Sequence, residues 1–306
     1  MSFAVIFPGQ GSQAVGMGKD LFDNSAEVRE LFEIASDTLS ENMQELCFSE
    51  NNKLNLTKYT QPAILLVSYA VFCLIKPKIK GRISFALGHS LGEFSALCAS
   101  GTLDFKEAIS LVNRRGILME DACKKQKAGM VVVLGLEDSI LEEFCEKKRN
   151  LGLKVWCANY NADGQMVLGG IREDLSSLEV ELKGLGAKRA LMLPMSVASH
   201  CLVLESMCEP FREILEKDLK DNFSFPIISN VNAKPYNTKQ EALELLSKQL
   251  ISPVLYKQSI RGNDSTIDTF IECGGNVLKG LNKRLSQKET ISLQTYAEIQ
   301  DFLQKD

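Results

Sequence analysis

The segment "ISFALGHSLGEFSALCASG", residues 83–101, decides the fold because it predicts a strand, a sharp turn and a helix in immediate succession. Within it, "GHSLG" (88–92) fits the G-x-S-x-G pattern of a nucleophile elbow. Such an elbow needs glycine two positions to either side of Ser90, since a side chain there would clash across the turn. The helix that follows directs its N–H groups and positive dipole end at the hydroxyl. We interpret Ser90 as a candidate nucleophile; the alternative is an ordinary strand-turn-helix connection with a surface serine.

A serine nucleophile needs a general base, and the chain has only 2 histidines. His89 is next to Ser90 and faces away from it in a normal elbow. His200, within "PMSVASHC" (194–201), follows the serine in the chain order typical of this elbow. We therefore predict that His200 is the base, the alternative being a structural histidine. No carboxylate can be named to orient it, because Glu205 would lie a turn along the next helix; a backbone carbonyl could serve instead.

The loop "FPGQGSQ" (7–13), which follows a short apolar strand, has three functional interpretations besides a plain turn. Its glycine spacing in "GQGSQA" (9–14) matches a degenerate dinucleotide-binding fingerprint, but the region that should supply a second strand and an acidic residue is predicted as helix. A P-loop is excluded because no G-x-x-x-x-G-K-[ST] is present. The third interpretation is an oxyanion hole, in which a loop amide lies beside the amide of Leu91.

The helical pattern 105–120, "FKEAISLVNRRGILME", carries two adjacent arginines at different angles to its apolar stripe. At about 100° per residue, Arg115 lies roughly 60° from the centre of the stripe and Arg114 roughly 160° from it. Arg114 should therefore face water. Arg115 points partly inward, where it binds either a structural carboxylate or a carboxylate of the substrate.

Strands that alternate with helices predict an α/β protein with a parallel sheet. From residue 128 the order becomes strand, helix, hairpin, helix and strand, with the second helix at 173–185, and this is the ferredoxin-like arrangement. We expect an inserted subdomain at 128–195, with the catalytic domain formed by 1–127 and 196–306. The last predicted helix, 276–285, is followed by a C-terminal tail.

Composition narrows the class of protein. The chain has 306 residues, 45% of them hydrophobic, and a net charge of -4, which argues against general nucleic-acid binding. Its 9 cysteines show no paired C-x-x-C spacing, so a zinc site is not expected, and their apolar surroundings predict reduced thiols in a cytoplasmic protein. No signal peptide is predicted, and the apolar run 63–75 is too short to span a bilayer, so we interpret it as a buried helix.

Several motifs, spread in a fixed order over nearly the whole chain, resemble the malonyl-CoA:acyl carrier protein transacylases of bacterial type II fatty acid synthesis. They are "FPGQGSQ" (7–13), "TQPA" (60–63), "GHSLGE" (88–93), Arg115, "SVASH" (196–200) and "KQLISPV" (248–254). The resemblance implies an α/β-hydrolase-like core with an inserted ferredoxin-like subdomain. It also implies a ping-pong reaction that moves malonyl from malonyl-CoA to the phosphopantetheine thiol of acyl carrier protein.

The same resemblance implies roles for particular residues. Ser90 would carry the malonyl group and His200 would act as base and acid. Gln10 and Leu91 would supply the oxyanion N–H groups. Arg115 would bind the malonyl carboxylate, and the segment at Gln249 would complete the substrate site and orient His200 through a backbone carbonyl. We expect no cofactor and no metal, since the CoA thioester is itself a substrate, and a monomer with no membrane partner.

Two departures from the family pattern bear on these expectations. Cys273-Gly274-Gly275 stands where the family often has glycine-proline-glycine, so we expect a looser turn, and Ala198 stands where many relatives have proline. The segment before His200 matches neither usual polyketide signature, which leaves strict malonyl selectivity open. A serine hydrolase and a non-catalytic carrier-binding module, the latter suggested by the basic segments 76–80 and 279–284, remain alternatives.

Overall fold

The computed structural model describes residues 1–124, 126–195 and 197–305. The strands are β1 (Phe3–Phe7), β2 (Ile83–Gly88), β3 (Ala128–Leu134), β4 (Val155–Ala162), β5 (Gln165–Ile171), β6 (Arg189–Met192), β7 (Ile227–Ile228), β8 (Pro235–Tyr236), β9 (Thr269–Cys273) and β10 (Glu289–Leu293). The helices are α1 (Lys19–Asn24), α2 (Ala26–Leu39), α3 (Met43–Phe48), α4 (Thr57–Ile79), α5 (Gly92–Ser100), α6 (Phe105–Lys124), α7 (Asp138–Asn150), α8 (Arg172–Ser177), α9 (Glu179–Gly184), α10 (Cys208–Asp218), α11 (Lys239–Gln249), α12 (Tyr256–Asn263), α13 (Val277–Asn282) and α14 (Tyr296–Gln304). Short 3-10 helices cover Lys53–Asn55, Leu202–Met207 and Asp264–Thr266.

The large sheet has the strand order β10-β9-β1-β2-β7-β8 and is parallel except for the short pair β7–β8. β1 lies inside this sheet with every residue buried, which explains its uninterrupted apolar sequence. β1 and β2 pair as far as their last residues, Phe7 opposite Gly88. Because the carboxyl ends of parallel strands meet at one edge of a sheet, the loop after β1 and the elbow after β2 lie side by side.

The small sheet is antiparallel, with the order β4-β5-β3-β6. With α7 after β3 and α8 and α9 after β5, its chain order is that of a ferredoxin-like unit. Its helices enclose a core of their own around Val133, Leu141 and Leu168. The predicted fold class, a parallel-rich sheet with a smaller antiparallel sheet, is confirmed. The domain division at 127/128 and 195/196 stays a prediction, and residue 196 lies outside the described residues.

The single helix predicted at 173–185 is wrong, because the structure has α8 and α9 with a break at Leu178. The hydroxyl groups of Ser176 and Ser177 donate to the carbonyls of Arg172 (2.7 Å) and Asp174 (2.6 Å) at the end of α8. Serine side chains that bind backbone groups in this way compete with the helical ladder, so the short first helix ends there.

Helix α4 contains the apolar run that was interpreted as a buried helix. Among the described residues it is the helix that is long and apolar enough to cross a membrane by length and composition, but 67% of the apolar window is buried inside the structure. It packs between the large sheet, where it contacts β9, and the helices α5 and α6. It therefore serves as a core helix here.

The predicted C-terminal tail is also wrong, since β10 and α14 extend the fold. β10 pairs in parallel with β9 and forms the edge of the large sheet. α14 begins with a capping box in which the side chains of Thr295 and Glu298 each accept from the other's backbone N–H, and Phe302 packs against Phe3 of β1 with ring centroids 6.4 Å apart. Both elements are short, and β10 and α14 are separated by only two residues, so the sequence pattern did not mark them as separate elements.

Candidate active site

Ser90 lies at the tip of the predicted elbow, between β2 and α5. Its φ of 53° is in the left-handed region, which few non-glycine residues adopt. A Cβ on Gly88 would lie 1.8 Å from the carbonyl carbon of Gly92, and a Cβ on Gly92 would lie 2.1 Å from the carbonyl oxygen of Phe7. Both flanking glycines are thus required by the close approach of backbone to backbone.

His200 lies within hydrogen-bonding distance of Ser90. Its Nε2 is 2.7 Å from Oγ of Ser90, and its Nδ1 is 2.7 Å from the backbone carbonyl oxygen of Gln249. Since a carbonyl only accepts, Nδ1 carries the proton, and Nε2 is left as the acceptor for the Ser90 hydroxyl. His200 also has a left-handed φ, 61°, so both members of the pair are held in strained backbone.

The imidazole of His200 is neutral in the folded protein. Burial, and after it the positive charge of Arg115, lowers the pKa of His200 from its ordinary value of 6.5 to about 3. The hydrogen bond to Gln249 opposes this shift without cancelling it. A neutral ring with a free lone pair on Nε2 is the form that can remove a proton from serine.

We predict that this pKa governs the pH dependence of Ser90 acylation. Because the pKa of His200 is about 3, its protonation should cause no loss of rate between about pH 5 and 7. An Arg115→Gln variant lacks a neighbouring positive charge, so the pKa of His200 should rise and the acid limb should move to higher pH. Chemical-quench measurement of acyl-enzyme formation across pH checks both predictions. An acid limb near pH 6.5, the ordinary pKa of histidine, in both wild type and the variant would contradict them.

The same shift affects stability with a defined sign. Between about pH 6.5 and 3 the unfolded chain binds a proton at His200 that the folded chain excludes. The contribution of this residue to the free energy of unfolding therefore falls as the pH falls through that window.

Arg115 is buried, with 1% of its surface exposed, whereas Arg114 is exposed, as the helix phase predicted. Its guanidinium donates to Oε1 of Gln61 (2.9 Å), to Oε1 of Gln249 (3.0 Å) and to Oγ of Ser90 (3.2 Å). Within residues 1–124, 126–195 and 197–305 it forms no ion pair, and its Nε has no hydrogen-bond partner. A buried guanidinium that is anchored by neutral groups beside the nucleophile retains its attraction for an incoming anion.

Gln10 and Leu91 both line the same cavity. Among the described residues, neither of their backbone amides donates a hydrogen bond within the protein. A Cβ on Gly9 would lie only 2.3 Å from the carbonyl oxygen of His89, so this glycine lets the loop after β1 press against the elbow. The arrangement leaves two N–H groups available to an oxyanion formed next to Ser90.

The predicted site residues except Gln249 line a cavity of about 310 Å³ between the carboxyl edge of the large sheet and one face of the small sheet. Ser90 follows β2 of the large sheet, Arg115 lies on α6, and His200 lies between β6 and the 3-10 helix Leu202–Met207. The opposite wall comes from the small sheet, with Met130, Val132, Asn159, Asn161, Gln165 and Val167, and the end of α13 contributes Val277, Leu278 and Leu281. A mostly apolar cavity with a few convergent polar groups is typical of a small-molecule site.

Gln249 is placed differently from what the sequence suggested, whereas His89 faces away from Ser90 as expected. Gln249 is fully buried and does not line the cavity; its amide and its carbonyl hold Arg115 and His200 instead. His89, adjacent to the nucleophile, turns away from it and donates from Nε2 to Oδ1 of Asn161 at 2.8 Å.

Comparison with known proteins identifies the family. Residues 4–295 match the acyl transferase domain family. The chain is 38% identical over 290 residues to the malonyl CoA-acyl carrier protein transacylase of Bacillus subtilis. The matched region covers 93% of this chain and 90% of the relative. The chain belongs to the malonyl-CoA:acyl carrier protein transacylase family.

Solved transacylase structures have the same fold throughout. The malonyl-CoA:acyl carrier protein transacylase of Helicobacter pylori superimposes with a TM-score of 0.96 and 47% identity, over 99% of this chain and 97% of that one. A malonyl-transacylase solved in complex with its type II polyketide-synthase acyl-carrier protein superimposes with a TM-score of 0.94 and 33% identity, over 100% of both chains.

The transacylase turn at 273–275 is packed tightly, contrary to the looser turn expected from its departure from the family pattern. Gly274 has a φ of 80°, donates its N–H to the carbonyl of Leu293 (2.9 Å), and would place a Cβ 2.9 Å from Cα of Ser68. Proline could supply neither this φ nor this N–H, so glycine suits the turn as it is built here.

The other departure, Ala198, has a buried partner. Its N–H donates to Sγ of Cys123 (3.3 Å), and the thiol lies 3.6 Å from its carbonyl oxygen. Cys123 is on α6, the transacylase helix that carries Arg115. This pair fixes the segment before His200 through an N–H that proline lacks.

Sequence reasoning missed the polar residues beneath the site. Glu93, Asn230 and Tyr236 are buried and hydrogen-bonded around the elbow. Glu93 is the last residue of the transacylase motif "GHSLGE". A carboxylate in the first turn of a helix that is predicted to be buried is unusual, and this pattern could have identified Glu93 from the sequence. Asn230 and Tyr236 carry no comparable signal, since they come together only through the pairing of β7 and β8.

Proposed function

We propose that this protein transfers the malonyl group of malonyl-CoA to the phosphopantetheine thiol of acyl carrier protein through a malonyl-Ser90 intermediate. The observation that carries the proposal is one contact set: Oγ of Ser90 lies 2.7 Å from Nε2 of His200 and 3.2 Å from Nη2 of Arg115. Nucleophile, base and anion-binding cation therefore meet at a single atom. The names of relatives that match over nearly the full length support the same activity.

In the first half-reaction, Oγ of Ser90 attacks the thioester carbonyl carbon while Nε2 of His200 takes its proton. The amides of Gln10 and Leu91 donate to the oxyanion of the tetrahedral intermediate. When the intermediate collapses, the carbon–sulfur bond breaks, and the CoA sulfur leaves with the proton that His200 returns. The products are the malonyl ester of Ser90 and free CoA thiol.

The second half-reaction runs the same steps with a different thiol. The phosphopantetheine thiol gives its proton to His200 and attacks the ester carbonyl carbon. The carbon–oxygen bond to Ser90 breaks, and His200 reprotonates the serine. Every bond and proton is accounted for by the two thiols and these two side chains, so the chemistry requires no cofactor.

Arg115 selects the acyl group by charge. The free carboxylate of malonyl accepts hydrogen bonds from the guanidinium, and Gln61 and Gln249 hold the guanidinium in place from behind. Burial lowers the pKa of Arg115 to about 10, so the group is still cationic at neutral pH. An acetyl group has no carboxylate that could accept hydrogen bonds from the Arg115 guanidinium.

The carrier protein approaches from the α13 side of the cavity. The basic segment 279–284 begins within α13 and extends two residues beyond it, and apolar residues of α13 line the cavity. The other basic segment, 76–80, precedes β2 at the opposite edge of the sheet, and Nζ of Lys78 binds the carbonyl of Phe302 (2.8 Å). Of the two, 279–284 is thus placed to meet an acidic carrier protein. We infer that the reaction takes place in the cytoplasm, where both substrates would be met.

A transfer assay tests the proposal. The enzyme is mixed with malonyl-CoA and phosphopantetheinylated acyl carrier protein, both are varied, and malonyl-carrier, CoA and free malonate are quantified. The proposal predicts parallel double-reciprocal plots and malonyl-carrier as the main product. Malonate released equally with and without carrier would indicate a hydrolase, and the absence of any turnover would indicate a binding module.

A further inference from the structure

Glu93 lies under the elbow, in the first turn of α5, with 1% of its surface exposed. Its Oε2 accepts from Nε2 of Gln249 (2.8 Å) and from the backbone N–H of Asn230 (3.1 Å), and its Oε1 accepts from the hydroxyl of Tyr236 (2.9 Å). No cation lies within ion-pair distance of it among the described residues. A carboxyl group is therefore kept in the interior by three neutral donors.

One of these donors holds the nucleophile. The side chain of Asn230 accepts from the backbone N–H of Ser90 (2.7 Å) and donates to the carbonyl of Gly88 (2.6 Å). These two bonds bracket the strained turn. By fixing the backbone of Asn230, Glu93 fixes the group that supports the left-handed conformation of Ser90.

A second donor holds both the base and the cation. The side chain of Gln249 donates to Glu93, accepts from Nη2 of Arg115 (3.0 Å) and donates to the carbonyl of Ser90 (3.2 Å). Its own carbonyl oxygen accepts from Nδ1 of His200. The contact with Glu93 also fixes which end of the Gln249 amide faces Arg115, since only the NH₂ group can donate to the carboxylate.

We propose that Glu93 is a positioning residue for the transfer described above: its Oε2 sets the placement of Asn230 and Gln249, and through them that of Ser90, His200 and Arg115. This inference rests on the proposed function. Glu93 touches no substrate, so its effect on the reaction is exerted only through those two partners.

The position of Glu93 is unfavourable unless it has such a role. Burial raises the pKa of Glu93 to about 7, against the opposing effects of its three hydrogen bonds and of the nearby charge of Arg115. The titratable groups that face it are Tyr236 and Arg115. An apolar side chain would fill this site at a lower desolvation cost, but it would leave the N–H of Asn230 without an acceptor and would remove one of the acceptors of the Gln249 amide.

The geometry predicts a sharp difference between two substitutions. In Glu93→Gln, the amide oxygen can occupy the position of Oε2 and the NH₂ group can donate to the Tyr236 hydroxyl oxygen, so kcat/KM for malonyl-CoA should stay within about threefold of wild type. In Glu93→Ala the N–H of Asn230 loses its acceptor and the NH₂ group of Gln249 loses one of its acceptors, so kcat/KM of the folded protein should fall about 10- to 100-fold. The matched control is Tyr236→Phe, which removes a hydrogen bond to the other carboxylate oxygen; its kcat/KM should stay within about threefold.

A double-mutant cycle separates positioning from simple loss of stability. If Glu93 acts through the Gln249 side chain, the effect of Glu93→Ala should be at least about fivefold smaller in a Gln249→Ala background, since the contact is already absent there. A change in the ratio of malonyl-CoA to acetyl-CoA activity should accompany Glu93→Ala, because Arg115 loses its support. All rates are normalised to the acyl-enzyme burst amplitude, which counts competent molecules.

The outcomes are distinct. Multiplicative losses in the cycle, an unchanged acyl preference, or a Glu93→Gln variant as impaired as Glu93→Ala would each overturn the proposed role of Glu93. A wild-type protein that forms no malonyl-Ser90 would instead refute the proposed function. In that case the same cycle, read with a fluorophosphonate probe that reports on Ser90 and His200 alone, still decides whether Glu93 positions them.

Discussion

The His200→Ala variant should acylate Ser90 about 10³- to 10⁴-fold more slowly than wild type at neutral pH. The reason is geometric: among the described residues the hydroxyl of Ser90 has one proton acceptor, Nε2 of His200 at 2.7 Å, and Arg115 only donates to it. Without the imidazole the proton must go to water in a cavity lined mostly by apolar side chains. Single-turnover formation of the malonyl-enzyme, followed by chemical quench, measures this rate.

Chemical rescue provides the control for this variant. Free imidazole in the assay should restore part of the lost rate, because the cavity left by the side chain lies directly beside Oγ of Ser90. Circular dichroism establishes that the variant is folded. A folded His200→Ala protein that keeps more than about a tenth of the wild-type rate would mean that another group acts as the base.

The Arg115→Ala variant should lose about 10²- to 10³-fold in kcat/KM for malonyl-CoA and much less for acetyl-CoA. Removing one partner of a buried, hydrogen-bonded charge pair is costly because the other charge is left unpaired in a site that excludes water. The acyl preference should therefore nearly disappear. Competition between malonyl-CoA and acetyl-CoA, with the two acyl-enzymes separated by mass, measures the preference directly.

The neighbouring residue gives a matched control for Arg115. Arg114 carries the same charge on the same helix, but it is exposed. Arg114→Ala should leave both the acylation rate and the preference for malonyl-CoA unchanged, since a solvent-exposed charge contributes little to binding at physiological salt. An Arg115→Ala enzyme that prefers malonyl-CoA as strongly as wild type would show that the guanidinium does not bind the malonyl carboxylate.

The parts of this protein that the sequence predicts are those whose signal is local. The elbow can be predicted from the sequence because Gly88 and Gly92 flank Ser90. The close backbone contacts at both positions leave no room for a Cβ, which explains the spacing of the two glycines. The burial of Arg115 follows from helix phase alone. The small antiparallel sheet follows from the order of its strands and helices.

The parts that the sequence does not predict depend on contacts between distant segments. Asn230 lies 140 positions from Ser90 and Gln249 lies 159 positions from it, and both reach the elbow only after the large sheet forms. A strand is predicted at 225–231, but β7 is only two residues long, Ile227–Ile228, because its pairing with β2 and β8 covers only those residues. Bonds of this kind are fixed by tertiary packing, which residue patterns do not record.

Intact-mass measurement after mixing the enzyme with malonyl-CoA and no acceptor tests the central claim most directly. The account predicts one added malonyl group per chain, located by peptide mapping on Ser90, lost on addition of phosphopantetheinylated acyl carrier protein and absent from a Ser90→Ala variant. A malonyl group attached elsewhere, or an unmodified enzyme that still produces malonyl-carrier, would contradict it.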